Sequence, residues 1–260
     1  MNVAEAYFGL KEKPLWNRAE ISSRLGSAQL ANWYIFVLSR KNLIQKVRKD
    51  LYTVTDLGDS SPLANRFQIA SKITDDSFLS HHSALEYFGF AHQQFTYVYV
   101  SSSKRFTPFE YGGYTYVGLV SDNSFGIVEN DDGVRVTCLE RTIIDSLADF
   151  EKIGGLEEFL HCLSLVTSLD DNLLLGALSS RGHAKFYQKA GYLFEQFGDE
   201  IDVSDRFIRE CEKHIPQSKA YFGKQHIDYC YFPKWKLYAP RRLKAIIYEG
   251  EDDDFKPLFT

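Results

Sequence analysis

Cysteine is scarce and scattered in this 260-residue chain: Cys138, Cys162, Cys211 and Cys230 form no CxxC pair. Neither a zinc ribbon nor a disulfide framework is therefore expected, and reduced, buried thiols in a cytoplasmic protein account for all four. No apolar run approaches the roughly 18–20 residues a membrane helix needs, so no membrane partner is expected. Met1–Lys13 carries Glu5 and Glu12 in a helical pattern, which is not the basic-then-apolar order of a signal peptide. Enzyme signatures are missing too. The chain has no P-loop lysine motif, no GxGxxG and no GxSxG. A metal-dependent nuclease needs converging carboxylates, commonly with a lysine on the same strand. There is no E-x-K, and the sole D-x-K is Asp254-Phe255-Lys256 in the tail. The sequence predicts no catalytic residues, no metal and no cofactor. It also has no internal repeat and no low-complexity stretch.

What remains is an ordinary globular composition, 44% hydrophobic and 25% charged, with a lopsided charge. Residues 1–56 hold nine bases and five acids, a net of +4, while the whole chain carries −5. The rest is therefore −9. A basic head on an acidic body suggests a polyanion-binding module joined to something else.

That head reads as three helices and a hairpin. Val3–Lys11 is apolar-periodic and stops at Pro14. Asn17 suits the cap of a second helix through Leu25, with Glu20 at the capping-box position and Gly26 as terminator. Ser27 caps a third, Ala28–Lys41, with Leu30, Ala31, Tyr34 and Leu38 facing a small core. Two strands, 43–47 and 51–54, flank the basic turn Arg48-Lys49-Asp50. This is the element order of a winged helix-turn-helix, expected over residues 1–57. On the third helix Ser27, Gln29, Asn32 and Trp33 then face outward, where amides pair with adenine edges in double-stranded DNA. Arg40, Lys41, Lys46, Arg48 and Lys49 supply charge beside the phosphates. The alternative is a non-DNA-binding interaction module, favoured by the aromatics Trp33 and Phe36 on that same face.

Asp56–Pro62 is polar and breaker-rich and reads as a linker. A second domain is expected over 63–260. It comprises a sheet-containing part (63–138), five helices (139–216), and short strands with an acidic tail (217–260). The fold class is α+β, with a winged helix-turn-helix ahead of a mixed α/β domain whose C-terminal half is helical.

Two short segments there stand out. His82 and Glu86 are four residues apart and share a helix face, which a helix-start hydrogen bond explains without a metal. Glu140-Arg141-Thr142 opens another helix, with Asp145 spaced for an ion pair with Arg141. The run Leu79-Ser80-His81-His82-Ser83-Ala84-Leu85-Glu86-Tyr87-Phe88-Gly89 resembles the S-H-x-S-A-L-x-x-x-G segment of AbiEi-family antitoxins. Val136-Thr137 and Leu139-Glu140-Arg141-Thr142-Ile143-Ile144-Asp145 are similar to that family's V-S-x-L-E-R-T-I-x-D segment, with Cys138 where the family often has serine. Gly154-Gly155-Leu156-Glu157-Glu158 is similar to its next helix start, and the likeness covers about residues 5–165. The resemblance implies a repressor that binds inverted repeats in its own promoter, with self-association on that DNA allowed for. It also implies a type IV antitoxin that counters a nucleotidyltransferase-like toxin without a stable complex. His82, Ser83, Glu86, Glu140, Arg141, Thr142 and Asp145 are the motif residues it singles out.

Overall fold

The computed structural model describes residues 2–224 and 229–247. The acidic tail expected after Glu249 lies outside them. The chain is mixed α and β, and it divides into two compact units.

The first unit is Met1–Leu79 with Thr96–Asp122 and Glu129–Val136. It begins with α1 (Val3–Leu10), β1 (Leu15–Asn17), α2 (Arg18–Leu25) and α3 (Ala28–Arg40), followed by β2 (Ile44–Arg48) and β3 (Leu51–Val54). Local chemistry sets these boundaries. Asn2 with Glu5 and Asn17 with Glu20 form reciprocal capping boxes, so two otherwise orphaned amides are satisfied at each helix start. Gly26 closes α2 at φ +92°, a left-handed conformation that side chains with a Cβ rarely adopt. Ser27 then accepts from the Leu30 amide and opens α3. Asn42 and Asp50 take the left-handed turns before and inside the hairpin.

β1 has no counterpart in the sequence pattern. It pairs antiparallel with β3, giving a three-stranded sheet of order β1-β3-β2. Tyr7, Leu10, Trp16, Ile21, Tyr34 and Leu38 are buried between this sheet and the helices. Leu30 is not among them: it is 46% exposed, one position off the stripe formed by Ala31, Tyr34 and Leu38.

The expected linker is a folded turn instead. Thr55 bridges Pro62, and the Leu63 amide donates to the Val54 carbonyl at 2.8 Å. Asp56 and Asp59 each accept from the backbone two residues on, at Gly58 and Ser61, so polar residues that suggested looseness build two Asx turns. The chain accordingly does not divide at 58–62. Beyond the turn come α4 (Arg66–Ser71) and β4 (Phe78–Leu79). Lys72 pairs with Glu20 at 2.8 Å, and the Tyr111 hydroxyl donates to Gln45 at 2.9 Å. These bonds tie the first 57 residues to the segment after them within one unit.

A six-stranded sheet has the order β6-β7-β5-β4-β9-β8, where β5 is Tyr97–Ser102, β6 Phe109–Tyr111, β7 Tyr114–Val120, β8 Ile127–Glu129 and β9 Arg135–Thr137. It is mixed, because β5 runs parallel to β7 while β4 is antiparallel to β5. Asp76 anchors the end of β5: its carboxylate accepts from the Ser103 amide at 2.8 Å and from the Thr74 hydroxyl. The Ser103 contact, helped by Thr74, holds this carboxyl down to about 2, against an ordinary value near 3.8. A depressed carboxylate stabilises the fold above its unfolded pKa and loses that contribution as pH falls. Asp76→Asn should therefore cost on the order of 1 kcal/mol at neutral pH, after allowing for solvent screening. The difference from wild type should shrink between about pH 4 and pH 2, as acid-unfolding curves will show.

The second unit is Ser80–Phe95, Asn123–Val128 and Thr137–Thr260. It contains α5 (His81–Phe88), α6 (Leu139–Ala148), a 3-10 turn (Phe150–Ile153), α7 (Leu156–Ser164), α8 (Asp171–Arg181), α9 (Lys185–Phe197) and α10 (Asp205–Lys213). The five long helices of the expected helical part are all present. Their apolar faces meet around Leu147, Phe159, Leu178, Leu193, Phe207 and Trp235. A small sheet, order β10-β12-β11, uses Ala220–Tyr221, Leu237–Ala239 and Cys230–Phe232 respectively. Among the described residues no helix is long and apolar enough to cross a membrane.

Candidate functional site

Helix α3 carries the polar face predicted for it. Gln29, Asn32, Trp33, Phe36 and Arg40 are exposed and recur at three- and four-residue spacing, so they share one stripe opposite Ala31, Tyr34 and Leu38. Ser27 stands at its head, where its hydroxyl is engaged as the cap. A hollow lined by Arg18, Asn32, Phe36, Arg40, Lys46 and Tyr52 separates this stripe from the hairpin. Arg18 is a residue that sequence reasoning missed. Its guanidinium donates to Asn32 Oδ1 and lies 3.6 Å from Asp50, linking the start of α2 to α3 and to the hairpin turn. The capping pattern marked Arg18 as the first residue of α2, but nothing local pointed it at α3.

The cations of the hairpin divide. Lys46 and Lys49 are exposed, as are Arg40 and Lys41 at the end of α3. Arg48 is not. Its guanidinium carbon lies 5.1 Å from the centre of the Phe109 ring and 5.5 Å from that of Phe106. Burial lowers its pKa, and Nη1 is buried without a hydrogen-bond partner. The cause is an irregularity between Lys46 and Arg48, which shifts the strand register so that Arg48 leaves the Lys46 side. Arg48 is thus half-buried and packs on the aromatics of the first unit, unlike the exposed Lys46 and Lys49.

In the second unit the motif residues are drawn inward. His82, Ser83, Glu140, Arg141, Thr142 and Asp145 are buried, and the Glu86 side chain is only 2% exposed. Asp145 is the hub of one network. It accepts from Arg141 Nε at 3.2 Å, the pair expected from their spacing, and from Arg181 Nη1 through its other oxygen. Arg141 also donates to the Phe125 carbonyl. Thr142 bridges the helix start, 2.7 Å from the Thr137 hydroxyl and 2.8 Å from the Cys138 carbonyl. Glu140 accepts from the Asp170 amide ahead of α8. His81, at φ +53°, lies within the field of Asp145, Asp149, Lys152 and Arg181. Burial outweighs the two carboxylates there and lowers its imidazole to about 4, so it is neutral at physiological pH.

Glu158, on α7, is the hub of the other. His82 Nε2 and His92 Nδ1 each lie 3.3 Å from its carboxylate, on different oxygens. The Gln93 amide donates at 2.9 Å and the Cys162 thiol at 3.3 Å. Burial alone would raise the Glu158 pKa, but the Gln93 amide, with Cys162 and His82, outweighs it and holds the carboxyl below its ordinary value. Burial drives the Cys162 thiol strongly upward. The His82 ring stacks on Phe95, with centroids 3.7 Å apart and planes within 7°. Phe95 in turn fits against Gly154, where an added Cβ would come within 2.5 Å of the ring and where φ is +93°. The spacing of His82 and Glu86 suggests a face-sharing pair, and they lie 3.7 Å apart. The sequence does not group Glu158, His92 and Cys162 with them, because only the folded chain brings positions 82, 92, 158 and 162 together.

No family model and no curated protein matches this chain. A solved structure does: the crystal structure of the RV2827C protein from Mycobacterium tuberculosis superposes with a TM-score of 0.64. The match covers 96% of this chain and 93% of that one. The two share a fold. At 15% identity the likeness extends to the path of the backbone and says nothing about chemistry.

Proposed function

We propose that residues 1–57 form a winged helix-turn-helix that binds double-stranded DNA with α3 in the major groove, and that the chain is a transcriptional repressor. The observation that carries this is the single stripe of Gln29, Asn32 and Arg40 on α3, bordered by Arg18 and Lys46, with Lys49 exposed on the hairpin turn. Amides near the start of a helix suit base edges, and exposed cations on the hairpin suit phosphates. The net charge of +4 on residues 1–56 supports a polyanionic partner. The resemblance to AbiEi-family antitoxins supports the finer reading: autoregulation through inverted repeats, and action against a nucleotidyltransferase-like toxin. Because the motif residues of that resemblance are buried, their part in such activity is to shape the second unit. A surface that acts on a toxin must be built from other residues.

Retardation of the protein's own upstream DNA in moderate salt tests this reading. Lys46→Ala with Lys49→Ala should weaken specific and non-specific DNA alike. The slope of log affinity against log salt should become shallower by about 0.9 for each phosphate that the variant no longer neutralises. An unchanged slope would remove the hairpin from the interface.

One observation favours a second reading, a protein-docking face. Leu30, Trp33 and Phe36 are 46%, 52% and 59% exposed on the same helix. Trp33→Ala that leaves DNA retardation intact but abolishes self-association or partner binding would select it.

A further inference from the structure

We propose that His82, Glu158 and Cys162 form a binding site for a zinc-class divalent cation in the second unit. A His82 ring nitrogen, a Glu158 oxygen and Cys162 Sγ all lie within 4.8 Å of one another, and all three residues are buried. His92 Nδ1 is 3.3 Å from the other Glu158 oxygen and lies outside this group, so the three buried donors leave the fourth tetrahedral position to solvent. His82 Nε2 and Cys162 Sγ are each 3.3 Å from Glu158 Oε1. Ligands about 2.0–2.3 Å from a tetrahedral zinc stand roughly 3.3–3.8 Å from one another.

The donor set matches the ion's chemistry. Imidazole, thiolate and carboxylate together suit zinc rather than magnesium or calcium, which prefer all-oxygen shells. One thiolate and one carboxylate balance the two positive charges, so the loaded site is neutral in a buried setting that penalises uncompensated charge. Binding exchanges the Cys162 S–H bond for a metal–sulfur bond and releases that one proton, while the His82 imidazole binds neutral.

The surroundings are those of a supported site. Phe95 fixes the plane of the His82 ring with Nε2 toward Glu158. Glu86 Oε1 stands 3.7 Å from the other ring nitrogen, the place where a carboxylate orients a metal-binding histidine. The Gln93 amide orients the Glu158 carboxylate. Glu158 and Cys162 are one helical turn apart on α7, so a single helix face presents both.

The test uses the full chain, freed of metal with a chelator and titrated with Co2+ and then Zn2+. The expected result is one equivalent of cobalt with tetrahedral visible bands and a thiolate-to-cobalt charge-transfer band, displaced by zinc. One proton should be released per ion. Cys162→Ser should remove the charge-transfer band. Glu86→Gln should weaken affinity by about 10–100-fold. Absence of cobalt absorption in the wild type overturns the site, as does a charge-transfer band that Cys162→Ser leaves unchanged.

Discussion

Asp145→Ala is expected to lower the stability of the second unit by about 3–5 kcal/mol, the usual cost of removing one partner from a buried ion pair. Asp145 is buried and accepts from two guanidiniums, those of Arg141 and Arg181. Arg141 is itself only 2% exposed, so truncation leaves a cation in the interior without the carboxylate that balances it. The cost is that of a stranded charge, not the net worth of the pair. Asp145→Asn, which keeps an oxygen to accept from one of the two arginines, should lose less. Urea unfolding followed through the second unit's aromatics distinguishes the variants. A loss within about 0.5 kcal/mol for Asp145→Ala, the range of an ordinary surface substitution, would mean that water reaches the pair.

Trp235→Ala should be comparably severe, at about 3–5 kcal/mol for a large aromatic removed from a packed core. Trp235 is fully buried, and its six-membered ring lies in the notch that Gly191 leaves on α9. A Cβ at position 191 would come within 2.0 Å of Trp235 Cζ3, so helix and ring fit only because that side chain is missing. The indole N–H donates to Glu195 at 2.5 Å, one turn further along α9. Truncation therefore opens a cavity and removes a donor from that carboxylate together. Calorimetry should show the transition of the second unit shifted to lower temperature. An unshifted transition would mean that residues 229–247 contribute little to that core.

Much of this fold is legible in sequence because its boundaries are set locally. Asn17 with Glu20, Gly26, Ser27 and Asn42 act within four residues of themselves, and each does in the structure what its chemistry predicts. Signals fail where the deciding contact is distant or the element is short. β1 and β6 are three residues long and make sense only beside β3 and β7. Asp56–Pro62 has a linker's composition, and the Thr55–Pro62 bridge that folds it is invisible until both sides are placed. Arg48 shares a basic turn with Lys49, yet a register shift sends it to Phe106 and Phe109. The α3 face is readable from helical period except at Leu30, on the margin of the stripe. Glu158 is unreadable as a hub, since its histidine partners lie 76 and 66 residues earlier in the chain.

The central claim is that α3 reads DNA, and Gln29 tests it most directly. Unlike Asn32, which already accepts from Arg18, Gln29 is exposed near the start of the helix. Affinities of the full-length protein and Gln29→Ala should be measured at one salt concentration, for the protein's own upstream DNA and for a scrambled duplex. The account predicts a loss of about 1–3 kcal/mol on the upstream DNA and none on the scrambled duplex. Wild-type protein that does not distinguish the two duplexes, or a variant unchanged on both, would contradict it.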